Sequence, residues 1–241
     1  EKSWTVSKNK ENFKEVKAVL FDLDGTLVHT LPGLTQLVNA VRRDFDKPAL
    51  PEERVGLYIG KGMVNLIHRS LTDSMNGRLD DHIFSLAVSS LQKHVEKGDY
   101  DKGTLFPGTK EALEFLKKAG LKLAIVTNKP YDMSMETLNS CGIADLFDVV
   151  VGGDSAPRPK PAKDPVEMAI NLLNVSKNEA LMIGDSGNDS GAAKAAEVPS
   201  ILVRTGWSEG VPLETIAERD DAIILADIPE VAKEILNSRQ A

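Results

Sequence analysis

The chain has 241 residues, 41% of them hydrophobic and 27% charged, a composition that supplies a real core and excludes disorder as the main state. Its net charge of -7, with no offsetting run of lysine and arginine, argues against a surface that holds nucleic acid by its phosphates. Apolar runs such as "KLAIV" and "ALMI" fall far short of the roughly 20 residues a membrane span needs, and the single cysteine, Cys141, excludes an internal disulfide and fits a reducing cytoplasm.

The opening "EKSWTVSKNKENFKEV" is polar and lacks both an apolar signal segment and an initiating methionine, so residues 1–15 are expected to form a leader outside the fold. Residues 16–21 are an apolar run broken only by Lys17, the pattern of a buried strand. Helical spacing then begins with Leu34, Leu37, Val38, Val41 and Phe45, and it persists through "GMVNLIHRSL" and "HIFSLAVSSLQKHV". Residues 32–102 therefore read as an all-helical insert of domain size. From "LFPGTKEALEFLKKAG" onward, helices and strands alternate, with Gly120 placed to end the first helix and "LKLAIV" following as a strand. "METLNSCG", "DVVVGG", "DPVEMAINLLN", "ALMIGD", "SGAAKAAEV", "SILV" and "IPEVAKEIL" continue that alternation. Asp164, Pro165 and Glu167 are spaced as N-cap, first helical residue and third residue of a capping box.

Repeated β-α units call for a parallel sheet, because each crossover packs right-handed against it. The expectation is an α/β protein: a Rossmann-like parallel sheet core, residues 16–31 and 103–241, with helices on both faces and an inserted all-helical cap domain over residues 32–102.

Ligands of such sheets bind beyond the carboxyl ends of the strands. At those ends the sequence places Asp22, Asp24, Gly25 and Thr26, then Thr127, Asn128 and Lys129, then a loop with Lys160, and finally Gly184, Asp185, Ser186 and Asp189. Carboxylates and water suit Mg²⁺, a hard ion usually held by one or two acids, and Asp22 with Asp185 meets that count. Only four histidines, in no spaced cluster, speak against zinc. A phosphate near these acids needs neutralising partners, which Lys160, Thr127 and the amides of the turn at Gly25 supply.

"DLDGT", "VTNK", the lysine of "RPKP" and "GDSGND" resemble, in order and in strand context, the four motifs of the haloacid dehalogenase superfamily of phosphotransferases. Within it the chain is similar to phosphoglycolate phosphatases, which carry comparable "YIGKGM" and "VTNKP" segments. The resemblance implies a Mg²⁺-dependent phosphomonoester hydrolase in which Asp22 is the nucleophile and Asp24 the general acid and base. It implies a metal shell of the Asp22 and Asp185 carboxylates with the backbone carbonyl of Asp24. Thr127, Asn128 and Lys160 would bind phosphate, and Asp189 would orient the metal site or the lysine. The implied partner is a small phosphorylated metabolite, 2-phosphoglycolate first among them, and the implied assembly a monomer or homodimer in the cytoplasm.

Blander roles remain open at single positions. Thr127 and Asp189 could cap helices, Cys141 packs as a small hydrophobe, and "DG" alone is a common turn. His29 stands where relatives commonly carry an acid. In the insert, Lys61 and Gly62 lie on a turn that could project over the phosphate, where Lys61, ahead of Arg69, could meet a second substrate anion. A sugar-phosphate phosphatase, a phosphomutase and a phosphate-binding regulatory protein are the competing functions.

Overall fold

The computed structural model describes residues 13–240. Among the described residues there are eight short strands and ten α-helices. The strands are β1 (Ala18–Phe21), β2 (Val28–His29), β3 (Thr104–Leu105), β4 (Lys122–Val126), β5 (Val149–Val151), β6 (Ala180–Gly184), β7 (Ser200–Val203) and β8 (Ile223–Leu225). Six of them form one parallel sheet in the order β5-β4-β1-β6-β7-β8. The chain builds outward from β1 to β5 on one side, then returns to add β6, β7 and β8 on the other. The reversal point lies beside β1, the position at which a doubly wound sheet opens its ligand crevice.

The first strand after the amino terminus is fully buried on both faces, which is why "AVLF" reads as a continuous apolar run rather than an alternation. One face of the sheet packs Val19, Phe21, Leu123 and Ile125 against α5 (Thr109–Lys118) and α10 (Ile228–Gln240). The other packs Leu20, Ala124, Val126 and Met182 against α7 (Asp164–Leu173) and α8 (Gly187–Ala195). Each fully buried Leu, Ile or Phe here contributes about 1.5–3 kcal/mol of transfer free energy. α6 (Tyr131–Ser140) follows β4, and α9 (Leu213–Asp220) follows β7.

Between β2 and β3 lies the helical insert: α1 (Leu31–Asp44), α2 (Glu52–Tyr58), α3 (Gly62–Thr72) and α4 (Asp81–Lys97). It has cores of its own. Leu34 and Val38 of α1 pack with Val55, Tyr58 and Leu66, while Leu37 and Val41, one step around the helix, pack with Ile67, Leu71, Ala87 and Leu91. The two crossings into and out of the insert pair with each other as the antiparallel ribbon β2-β3, Val28 opposite Leu105 and His29 opposite Thr104. Among the described residues no helix is long and apolar enough to cross a membrane.

Four readings of the sequence are corrected. Phe13 belongs to the core, 3% exposed against the α10 face, so the fold starts before residue 16 although residues 1–12 lie outside the described residues. Asp164 does not cap α7: the helix starts at Asp164 itself, with no side-chain cap from Lys163, because Arg158 takes both carboxylate oxygens of Asp164 at 2.8 and 3.2 Å. α9 and β8 were not anticipated. "LETIAERD" is half charged and "IIL" is a three-residue, half-buried edge strand, so neither carries enough apolar periodicity to read. The β2-β3 ribbon, two residues per strand, was missed for the same reason.

Candidate active site

Parallel register brings the strand ends together. Phe21 of β1 sits beside Ile125 of β4 and Ile183 of β6, so Asp22, Thr127 and Asp185 emerge at one edge of the sheet. Asp22 stays on the ladder, its backbone N–H donating to the Ile183 carbonyl at 2.9 Å. Its side chain stands at the base of a cavity of about 60 Å³ that Asp24, Thr127, Asn128, Lys129 and Asp185 also line.

Lys160 reaches this edge from the loop between β5 and α7 and is 2% exposed. All three of its ammonium donors are used: toward the Val126 carbonyl at 2.7 Å, Asp189 Oδ1 at 2.5 Å and Asp22 Oδ1 at 3.1 Å. Burial alone would favour loss of its proton, but the charges of Asp189 and Asp22 outweigh that and hold the ammonium well above its ordinary value. Asn128 fixes the same loop, accepting from the Lys160 backbone N–H at 2.9 Å and donating to its carbonyl at 2.9 Å. Thr127 does not cap α6; its hydroxyl accepts the Lys129 backbone N–H at 3.1 Å and lines the cavity.

Asp189 is the third residue of α8 in a capping box with Ser186. Its Oδ2 accepts the backbone N–H groups of Asp185 and Ser186 at 3.0 and 3.2 Å while Oδ1 holds Lys160. Capping and positioning are thus one job: the carboxylate fixes the turn that presents Asp185 and the lysine that faces Asp22.

Asp24, two residues beyond Asp22, has separate partners. Its Oδ1 accepts from Lys129 Nζ at 3.0 Å and from the Thr30 hydroxyl at 2.5 Å. The turn that follows Asp24 needs Gly25, at φ +81°, where a Cβ would stand 2.6 Å from Asp185 Oδ2. Gly206 closes the other side of Asp185, since a Cβ there would fall 1.8 Å from the same oxygen. The Thr26 hydroxyl donates to Asp185 Oδ1 at 3.1 Å.

Charge is crowded at this point. Burial first, then the neighbouring charge of Asp189, pushes Asp22 up to about 6 against the pull of Lys160. Burial, followed by the charges of Asp22 and Asp189, raises Asp185 well above the usual carboxylate value. Carboxylate oxygens of Asp22, Asp185 and Asp189 lie within 4.8 Å of one another. With both Asp189 oxygens engaged as described, Asp22 and Asp185 are the two left to ligate, and two crowded, desolvated acids with hydroxyl and backbone neighbours fit a hard divalent cation.

Over the cavity stands the turn between α2 and α3. Gly60 and Gly62 line it, and the Gly60 carbonyl accepts from Asn128 Nδ2 at 3.0 Å. Lys61 turns aside, bonding Asn188 Oδ1 and standing 3.7 Å from Glu209 Oε1. Arg69 pairs with Glu209 Oε2 at 3.0 Å. Both insert cations expected near a second substrate anion are therefore held by Glu209 and Asn188 of the core.

Comparison with known proteins agrees with this geometry. The family described as haloacid dehalogenase-like hydrolase matches residues 19–203. The chain belongs to that family. As a haloacid dehalogenase-like hydrolase it is 36% identical over 223 residues to a phosphoglycolate phosphatase of Nitrosospira multiformis, covering 92% of this chain and 97% of that one. It is 38% identical to a plasmid-encoded phosphoglycolate phosphatase of Cupriavidus necator, covering 79% and 82% of the two chains. Among solved structures, that of a predicted phosphoglycolate phosphatase from Haemophilus somnus superposes with a TM-score of 0.81 at 31% identity, covering 91% of this chain and 97% of that one. These hydrolase relatives are phosphatases, and the chain is an enzyme of that kind.

Sequence reading missed several residues of this site. Thr30 and Lys129, the partners of Asp24, were legible only as a linker threonine and the last letter of "VTNK". Gly206 and Glu209 lie in "RTGWSEGVP", a loop after β7 at the same sheet edge. That placement alone could have singled the loop out, since every other strand-end loop around β1 contributes to the site.

Proposed function

We propose that the protein is a Mg²⁺-dependent phosphomonoester hydrolase that works through an aspartyl-phosphate on Asp22, with 2-phosphoglycolate as its substrate. The observation that carries the reading is the division of the two acids of "DLDGT". Asp22 is set between Lys160 and Asp185, where phosphate charge is neutralised, and Asp24 is held apart by a different lysine and a hydroxyl.

An Asp22 carboxylate oxygen attacks phosphorus, and the bond from phosphorus to the ester oxygen breaks. Asp24 gives its proton to the departing alcohol oxygen, then takes one from the water that attacks the aspartyl-phosphate; the bond from phosphorus to Asp22 breaks and the carboxylate is restored. Lys160 and the Thr127 hydroxyl stabilise charge on the transferring oxygens. Mg²⁺, held by Asp22, Asp185 and the Asp24 carbonyl, would neutralise phosphate charge beside the nucleophile. The insert excludes water from this step, with Ile59, Met63 and Leu66 as the apolar side of the cavity.

The test is kcat/KM over 2-phosphoglycolate, sugar phosphates, nucleotides and pyrophosphate, with and without Mg²⁺, reading free phosphate and isomer formation together. Metal-dependent phosphate release led by 2-phosphoglycolate supports the reading. Isomerised sugar phosphate without phosphate release would make the protein a mutase, and no turnover of any ester would leave a phosphate-binding protein.

A further inference from the structure

The site holds two buried lysines, one for each acid of "DLDGT", and the mechanism above uses only Lys160. Lys129 has a side chain 7% exposed, facing an Asp24 side chain 13% exposed, with 3.0 Å between ammonium and carboxylate. So little solvent separates this pair from the cavity that it is not screened as a surface ion pair is.

The base from which Lys129 extends is fixed. Its backbone N–H donates to Thr127 Oγ1 at 3.1 Å; its carbonyl accepts the Gly153 N–H at 2.8 Å and the Ser134 hydroxyl at 3.3 Å. Pro130 follows at φ -54° and starts α6. A long, flexible side chain leaving so constrained a backbone loses less freedom in holding one partner. The bonds from Lys129 and Thr30 both fall on Oδ1 of Asp24. Oδ2 is thereby the oxygen left to exchange a proton.

We propose that Lys129 is a positioning residue for Asp24: it anchors one carboxylate oxygen so that the other meets the leaving-group oxygen of the substrate. This inference rests on the assignment of Asp24 as general acid. It predicts a cost that depends on the leaving group, because a basic alkoxide must be protonated as it departs whereas a nitrophenolate need not be.

The experiment compares Lys129→Met and Lys129→Arg with wild type on 2-phosphoglycolate, glycerol phosphate and p-nitrophenyl phosphate, in saturating Mg²⁺, with the thermal midpoint of each variant recorded. General-acid contributions are on the order of 10²- to 10⁴-fold. Disorder of the acid rather than its removal should therefore cost Lys129→Met about 10- to 100-fold in kcat on the two alkyl esters, and at least about tenfold less on p-nitrophenyl phosphate. Lys129→Arg, which keeps a cation, should recover part of the alkyl-ester loss. An even loss across all three esters would overturn the inference and make Lys129 structural. A rise in KM confined to 2-phosphoglycolate, with kcat unchanged, would also overturn it and make Lys129 a ligand of the substrate carboxylate. A wild type that is inert on all three esters would sink the proposed hydrolase, and the inference with it; an active wild type with either of the other results sinks the role of Lys129 alone.

Discussion

Core and insert face the same cavity with different kinds of groups. From the sheet edge come Asp22, Asp24, Thr127, Lys129 and Asp185, all ionisable or hydrogen-bonding, each held by backbone, by a hydroxyl or by an opposite charge. From the insert come Ile59, Met63 and Leu66 with the backbone of Gly60 and Gly62, while its cations Lys61 and Arg69 are engaged by Glu209. On the proposed mechanism, this difference divides the work. A preorganised charge array costs no reorganisation when the reaction occurs, so it belongs on the rigid sheet; an apolar lid need only exclude water and can be carried on two short crossings.

If that division holds, core substitutions should lower turnover on every alkyl ester. The largest effect is expected for Asp22→Asn, a loss on the order of 10⁴-fold or more in kcat with no covalent phosphoenzyme. Asp24→Asn should lose about 10²- to 10⁴-fold on alkyl esters and still accept label in a rapid acid quench. Lys160→Met removes a cation that two buried acids share, and leaving Asp189 and Asp22 uncompensated should destabilise the fold by about 3–5 kcal/mol, readable as a drop in the urea midpoint. Surviving stability near wild type would mean that the core array is less tightly coupled than its distances imply.

The crowding at Asp22 gives a further test in the metal-free protein. Its folded value of about 6 lies above the ordinary 3.8, so between those values the folded state binds more protons than the unfolded chain, and stability is lost as pH rises through that window. The metal-free thermal midpoint should therefore be higher at pH 5 than at pH 7.5. Asp22→Asn should raise the midpoint at pH 7.5 by about 2–4 °C, the shift that roughly 1 kcal/mol produces in a chain of this size, and Mg²⁺ should raise that of wild type. No dependence on pH or metal would contradict the crowded pair.

The smallest effects belong to the insert. Glu209→Gln breaks the pairs with Arg69 and Lys61, an interaction of about 1 kcal/mol for partly exposed groups. It should raise KM for 2-phosphoglycolate about fivefold while changing kcat on p-nitrophenyl phosphate little. A kcat loss as large as that of Asp24→Asn would mean that the insert takes part in chemistry and that the division is wrong.

What the sequence made legible follows the same line. β1, β4, β6 and β7 could be read because strands buried on both faces are unbroken apolar runs, and Asp22, Asp185 and Lys160 because each directly follows such a run or a glycine- and proline-marked loop. Contacts between distant segments left no local trace. The pairing of Lys129 with Asp24 spans 105 positions and that of Arg69 with Glu209 spans 140, and no periodicity reports either. The expected cap at Asp164 failed through a competing local partner: Arg158 offers a charged fork where the helix offers single N–H groups. His29, which stands where relatives commonly carry an acid, is an exposed residue of β2 at the rim of the cavity, with its ring 5.8 Å from that of Phe106.

The central claim is that Asp22 carries the phosphoryl group. Wild-type enzyme mixed with phosphorus-labelled 2-phosphoglycolate and Mg²⁺, quenched in acid within one turnover, should retain label as an acyl phosphate released by hydroxylamine. Borohydride reduction should convert the modified side chain to homoserine at position 22, read by mass spectrometry of the peptide spanning the first strand. Product formed without retained label, or label mapped to any other residue, would contradict the account.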